Sequence, residues 1–300
     1  MTRTSTADWI AVDWGTSNLR AYAMQGATVL ARAESPDGMS KLTPDAFEPA
    51  LISLIAGWQA EDLPVVACGM VGSRQGWVEA PYRSVPCTPL APTLTRAPVQ
   101  TLRSVHVISG ISQQSPADVM RGEETQIAGF LSLNPGWDGV LCMPGTHTKW
   151  VHLSAGEIVS FQTFMTGELH ALLSGSSVLR HSIDVEGWDA DAFEAAVSEA
   201  ISHPERFAAR LFTLRARGLL QGLDGGSAHA TMSGYLIGAE LAAARPYWLG
   251  QNIAILGTGP QAKAYENGLS PQGVPAMLVD AERATLSGLT DAYRSLKETT

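Results

Sequence analysis

The chain has 300 residues, 29 Asp and Glu against 20 Lys and Arg, and a formal net charge of −9. Its 45% hydrophobic content is that of a folded globule, and its length allows one large domain or two ordinary ones. The acidic balance excludes the broad basic footprint of a nucleic-acid or anionic-membrane binder, while leaving room for a local positive pocket.

The first predicted elements are short strands. Trp9–Val12 is an apolar run that ends in Asp13-Trp14-Gly15-Thr16-Ser17. Leu19–Met24 and Thr28–Ala33 follow around a Gln25-Gly26 turn, which is hairpin grammar. Thr43-Pro44-Asp45 opens a helix carrying Phe47, Leu51, Leu54, Ile55 and Trp58. Val65–Cys68 reads as a strand that runs into Gly69-Met70-Val71-Gly72-Ser73-Arg74-Gln75-Gly76-Trp77. The proline-rich stretch from Pro81 to Pro98 predicts an ordered loop, and Val105–Ser109 another strand. A helix opens at Arg121-Gly122-Glu123-Glu124 and breaks at Asn134-Pro135-Gly136, where the lobe boundary is placed.

The second half begins as the first does. Gly139–Met143 is apolar, Pro144-Gly145-Thr146-His147-Thr148-Lys149 follows, and Ala155-Gly156 turns the chain into Ile158–Phe164. Gly15, Thr16 and Gly26 each find the same residue type 130 positions later, at Gly145, Thr146 and Gly156, which points to duplicated lobes. The expected division is 1–135 and 136–300. Helices are expected over Met165–Leu173, Asp191–Ile201, Arg206–Ala216 and Ala228–Ala244. Ile253–Leu256 is a strand ending in Gly257-Thr258-Gly259-Pro260. Gln261–Asn267 is a helix stopped by Gly268, Ala276–Val279 a last strand, and Asp280 caps a final helix to about Lys297.

The three cysteines (Cys68, Cys87, Cys142) have no metal-ligand spacing and read as buried or inert thiols in a reducing compartment. The start, MTRTSTADW, lacks the apolar core of a signal peptide, and no run approaches the roughly 20 apolar residues that span a bilayer. A cytoplasmic protein is expected, without nucleic-acid or membrane partners. The oligomeric state stays open, a homodimer being one option.

Four constellations carry chemistry. In Asp13-Trp14-Gly15-Thr16-Ser17-Asn18, glycine and hydroxyl residues let backbone N–H groups approach an anion, and a strand-end acid can hold Mg²⁺ with several waters. Gly145, Thr146, His147, Thr148 and Lys149 repeat that turn, so the two could clamp one polyphosphate, with Arg20 and Lys149 adding charge. Gly257, Thr258 and Gly259 form a glycine-rich strand-to-helix turn suited to a nucleotide. The same residues also match G-x-G-x-x-A with Asp280 downstream, a dinucleotide fingerprint. The 20 residues left after Asp280 are too few for the strands that fold needs. Ser73, Arg74 and Gln75, with Trp77 as a stacking or core residue, could grip a polyhydroxylated acid. Glu123 or Glu124, at a helix start, could accept a hydroxyl proton as it attacks phosphorus. No Walker loop, HExxH or GxSxG is present.

WIAVDWGTSNLRAYA resembles the first phosphate motif of the sugar kinase/heat-shock-protein-70/actin superfamily. PGTHTKWV resembles its second phosphate motif, and ILGTGPQAKAY its adenosine motif. The longer strings GMVGSRQGWVEAPY, DVMRGEETQIAGF and MPGTHTKWV with FMTGELHALL are similar, over nearly the whole chain, to the 2-dehydro-3-deoxygalactonokinase family. The resemblance implies an α/β fold of two ribonuclease-H-like lobes with an inter-lobe cleft, and ATP with Mg²⁺ as cofactors. It implies phosphorylation of the 6-hydroxyl of 2-dehydro-3-deoxy-D-galactonate, in galactonate breakdown. It places Glu123 where related sugar kinases carry a catalytic Asp, with Glu124 in reserve, and leaves Asp13 as the main carboxylate near the metal. A kinase for another sugar acid or a neutral sugar, or a nucleotide-switched protein of the actin or chaperone type, are the alternatives.

Overall fold

The computed structural model describes residues 7–58 and 60–299. The described chain falls into two compact units. One comprises residues 1–137, 154–160 and 281–300, and the other residues 138–153 and 161–280.

The first unit is built on β1 (Trp9–Trp14), β2 (Leu19–Gln25), β3 (Thr28–Ser35), helix α1 (Phe47–Ile55) and β4 (Pro64–Gly69). It continues with β5 (Arg83–Ser84), β6 (Thr95–Arg96), β7 (Ser104–Val107), β8 (Ile111–Gln114), β9 (Ala117–Met120) and helix α2 (Glu123–Leu133). Six strands form one sheet in the order β3-β2-β1-β4-β7-β6, and β5-β8-β9 form a second, smaller sheet. β1 pairs antiparallel with β2, setting Asp13 opposite Arg20, and parallel with β4, setting Asp13 opposite Cys68. β1 and β4 are almost wholly buried, as central parallel strands covered on both faces must be. Trp14, Phe47 and Trp77 cluster in the core between this sheet and α1.

The sheet of the second half uses β10 (Gly139–Met143), β11 (Thr148–Ser154), β12 (Glu157–Phe164), β13 (Ile253–Leu256) and β14 (Ala276–Val279), in the order β12-β11-β10-β13-β14. The order repeats β3-β2-β1-β4-β7 strand for strand, and the hairpins coincide at the 130-residue offset seen in the sequence. Around it lie α3 (Thr166–Gly175), α4 (Ala190–Ser202), α5 (Phe207–Gln221), α6 (Gly225–Ala243), α7 (Arg245–Trp248) and α8 (Pro260–Leu269), with α9 (Ala281–Thr299) closing the chain. Asp189 and Asp224 cap α4 and α6, each accepting a backbone N–H at 3.0 Å. α6 is buried nearly all round, and its glycines explain how: a Cβ at Gly234 would stand 2.5 Å from the Phe193 carbonyl oxygen on α4.

Several expectations need correction. The 81–98 segment is not purely loop, because its two-residue strands β5 and β6 complete sheets led by other strands. The β8–β9 hairpin has no counterpart in the sequence reading. Gly268 does not stop α8 but sits inside it, where a Cβ would come within 3.0 Å of Leu241. α5 runs on to Gln221 and ends at left-handed Gly222. The 136–300 division included α9, but α9 packs in the first unit, where glycines at its crossing with α2 bring backbones together. A Cβ at Gly288 would lie 1.9 Å from the Thr125 carbonyl oxygen. No helix among the described residues is long and apolar enough to cross a membrane.

Candidate active site

In the first unit, Asp13 stands at the end of β1, where the chain turns through Gly15, Thr16, Ser17 and Asn18. The Gly15 N–H donates to the Asn18 carbonyl at 2.9 Å, closing the turn and leaving Thr16, Ser17 and Asn18 exposed. A second segment fixes it from behind. The Met39 and Ser40 N–H groups donate to the Gly15 and Thr16 carbonyls, both at 3.0 Å. Gly38 makes that approach possible, because a Cβ there would lie 2.2 Å from the Ser17 carbonyl carbon. Gly15 itself is different. Its φ is ordinary, and a Cβ would meet only the Asn18 oxygen at 3.6 Å, so the fold does not require glycine there. The side-chain space it leaves is open to a ligand.

Arg20 reaches Asp13 at 3.2 Å and Glu34 at 3.7 Å, so its charge is shared by two carboxylates rather than held free for phosphate. The Cys68 thiol also points to Asp13, at 3.9 Å. Burial raises the Asp13 pKa, Arg20 lowers it, and the negative charge of Glu123 raises it again. Asp13 and Glu123 thus lie within each other's field, although 110 residues apart in sequence. The approach of β4 to the start of α2 brings this about. Gly69 and Gly122 both have positive φ (93° and 111°), and a Cβ on Gly122 would touch the Gly69 Cα at 3.3 Å.

The two adjacent glutamates play different parts. Glu123 is half-buried and accepts the Arg121 backbone N–H at 3.0 Å. Glu124 is fully buried, accepting the Gly122 N–H at 2.7 Å and the Thr125 hydroxyl at 3.3 Å. Burial, reinforced by the charge of Glu123, lifts the Glu124 pKa from 4.5 to about 8, so it keeps its proton at neutral pH. An acid that ionises more readily unfolded than folded adds stability that is complete below 4.5 and is lost as pH rises toward about 8. Glu124→Gln should remove that loss. Thermal melts should show the variant gaining on the wild type as pH rises across this window, and parallel curves would contradict the buried-proton assignment.

In the second half, Gly145 opens the equivalent turn. Thr146 and His147 are exposed, and His147 Nε2 pairs with Glu168 at 2.6 Å. The backing segment recurs too: the Glu168 N–H donates to the Thr146 carbonyl at 2.9 Å, and a Cβ on Gly167 would lie 2.2 Å from the Gly145 oxygen. Gly145, like Gly15, has open space where a side chain would stand. Thr148 departs from its expected role. It is buried, and its hydroxyl is shared with Tyr265 at 2.9 Å. Lys149 is buried on β11. Behind Thr148 lies buried Glu240, which accepts from Tyr265 and Trp150, each at 2.7 Å, and from Thr166. Burial raises the Glu240 pKa, and these three donors pull it back. At the nucleotide turn, Gly257 has φ +138° and its N–H donates to the Val279 carbonyl at 2.7 Å. Thr258 and Gly259 are exposed before α8, and Gln261 Nε2 ties that helix to the Gly145 carbonyl at 3.0 Å.

The 73–77 segment divides. Arg74 and Gln75 are exposed, while Ser73 is buried with its hydroxyl unpartnered. Trp77 is a core residue, not a sugar platform: it is 6% exposed, bonds the Pro98 carbonyl through its indole N–H at 3.0 Å, and packs on Phe47. Among the described residues no three or more His, Cys, Asp or Glu side chains gather as a metal cage. Gly38, Gly167, Arg121, Gln261, Tyr265 and Glu240 had no signal in a single sequence, because each acts through contacts distant along the chain.

Residues 13–292 match the family model of 2-keto-3-deoxy-galactonokinase. The chain belongs to this family. It is 36% identical over 289 residues to the 2-dehydro-3-deoxygalactonokinase of Escherichia coli strain K12, covering 95% of this chain and 97% of that one. A crystal structure from Sinorhizobium meliloti superposes with a TM-score of 0.90 at 36% identity, over 96% of this chain and 99% of the other. The activator of the 2-hydroxyisocaproyl-CoA dehydratase from Clostridium difficile shares the fold alone, with a TM-score of 0.55 at 11% identity over 97% and 96% of the two chains. As a member of the 2-keto-3-deoxy-galactonokinase family, the chain is a phosphotransferase of the α/β class.

Proposed function

We propose that the protein transfers the γ-phosphoryl group of ATP to the 6-hydroxyl of 2-dehydro-3-deoxy-D-galactonate, giving the 6-phosphate and ADP. The observation carrying this reading is that Asp13, within the field of Glu123, ends its strand at a turn whose glycine the fold does not need. Phosphoryl transfer asks for a carboxylate near the metal and another to take the acceptor's proton, with backbone donors around the phosphates.

Gly15–Asn18 and Gly145–His147 hold phosphates through backbone N–H groups and exposed hydroxyls, and Gly257–Gly259 borders the adenosine. Gly259 supports the last assignment, since a Cβ there would meet nothing within 4 Å. Lys149 adds charge to the second turn, whose shape Thr148, Tyr265 and Glu240 maintain. Asp13 fits Mg²⁺ as a lone protein carboxylate, since that ion keeps several waters and takes its other ligands from substrate phosphates. Bound there, the ion would neutralise charge on the transferring phosphoryl group. Arg20 holds the Asp13 carboxylate in place at 3.2 Å. Glu123 accepts the proton of the 6-hydroxyl, and Ser73, Arg74 and Gln75 contact the acid. Most of the rate gain comes from positioning and charge stabilisation.

The test is coupled ADP release over a panel of 2-keto-3-deoxy acids, aldonates and neutral sugars. Fast release with the galacto acid, weak release with the gluco isomer and none with neutral sugars is expected. ATP turnover indifferent to every acid would instead favour a nucleotide-switched protein.

A further inference from the structure

Arg121 lies where β9 ends and α2 begins, two residues before Glu123. It is 8% exposed, an unusual place for an arginine. One Nη2 hydrogen goes to the Ala80 carbonyl at 2.8 Å, and the Tyr82 ring covers one face of the guanidinium, 4.3 Å from centroid to Cζ. The Nε and Nη1 donors are buried without a hydrogen-bond partner, and so is the hydroxyl of Ser73, which is 6% exposed. The Trp137 indole nitrogen is the one other buried side-chain atom in that condition among the described residues.

These orphaned groups are neighbours. Nη1 lies against Gly72, where a Cβ would come within 2.9 Å of it, and Ser73 follows Gly72 directly. The Gly72 carbonyl accepts the Ala80 N–H at 3.0 Å, so Gly72, Ala80 and Arg121 form one tight knot at the end of β4. No carboxylate among the described residues forms an ion pair with Arg121. Glu124, the acid whose field it shares, is held protonated by burial. A buried guanidinium with unmet donors and no counter-charge is costly, and the group that relieves it best is an anion that accepts a free N–H.

We propose that Arg121, with Ser73, binds the carboxylate of the acceptor and so makes the enzyme select acids over neutral sugars. The inference rests on the sugar-acid kinase reading given above. The carboxylate accepts from Nη1–H of Arg121, on the Gly72 side of the guanidinium, and from the Ser73 hydroxyl. Tyr82, whose ring covers the guanidinium, is itself 45% exposed and forms a wall of the site. Arg74, exposed on the same loop, is left to the rim.

The experiment compares the acid with its neutral primary amide as acceptors, in the wild type and in Arg121→Gln, Arg121→Lys, Ser73→Ala and Arg74→Ala. The wild type should prefer the acid in kcat/KM by roughly 10²–10⁴-fold. Arg121→Gln should raise KM for the acid, leave the amide and the KM for ATP nearly unchanged, and bring that preference close to unity. Arg121→Lys and Ser73→Ala should each lose part of it, and they decide the matter should Arg121→Gln fail to fold. Equal loss on acid and amide would make Arg121 a structural residue and overturn the proposal. Collapse of the preference in Arg74→Ala alone would move the carboxylate to Arg74 and also overturn it. A wild type that phosphorylates no acid at all would remove the kinase reading itself, and this inference with it.

Discussion

Glu123→Gln should lower kcat by roughly 10²–10⁴-fold, the usual contribution of a positioned general base, while ATP still binds. The substitution keeps shape and keeps an oxygen to accept the Arg121 N–H, now bonded at 3.0 Å. What it removes is the capacity to take a proton, and one negative charge beside Asp13. Since that charge helps raise the Asp13 pKa, Asp13 should ionise more readily in the variant, which favours the metal, so the defect should lie in turnover and not in ATP binding. Glu124→Gln is the matched control. Glu124 is fully buried with both oxygens engaged, so turnover should change little. Single-turnover rates and nucleotide affinities measured on both variants decide this. Normal turnover in Glu123→Gln, or a larger loss in Glu124→Gln, would contradict the assignment.

Gly15→Ala and Gly38→Ala should fail in opposite ways. A Cβ on Gly15 has room in the fold, so melting should stay near the wild type. The same methyl would stand where a phosphate is proposed to lie, and KM for ATP should rise by at least about fivefold, since one clash of that kind costs about 1 kcal/mol or more. A Cβ on Gly38 would collide with the Thr16 carbonyl oxygen at 2.3 Å and the Ser17 Cα at 2.4 Å. The 38–40 segment would have to withdraw, breaking the 3.0 Å bonds to Gly15 and Thr16. Here stability should fall by about 1–3 kcal/mol along with nucleotide binding. Thermal melts beside ATP titrations separate the two. Unchanged ATP affinity in Gly15→Ala would remove phosphate from that turn.

The paired hairpins were legible because glycine and alternating apolar runs punctuate them locally, and the repeat at 130 residues maps onto the same strand order in both sheets. Asp13 could be singled out for the same reason: it ends a strand just before a glycine turn. The small β5-β8-β9 sheet was not legible, since a two-residue strand has no periodicity and owes its existence to its neighbour. Trp77 shows the limit of residue type as a guide. Its sequence position beside Arg74 suggested a ligand, but the tertiary fold turns it into the core against Phe47 and Trp14. Gly38 and Gly167 matter through atoms more than 20 residues away in sequence, a contact no local pattern encodes. The strongest omission, Arg121, looked like a helix-start residue, and only its burial with unmet donors distinguishes it from exposed Arg74.

The central claim concerns one bond, from the γ-phosphorus of ATP to the 6-oxygen of the acid. Phosphorus–proton correlated NMR of the product formed from ATP, Mg²⁺ and 2-dehydro-3-deoxy-D-galactonate reports that bond directly. The account predicts a single phosphomonoester coupled to the two protons on C6, formed in step with ADP. A phosphate coupled to another carbon, or ADP accumulating with inorganic phosphate and no ester, would contradict it.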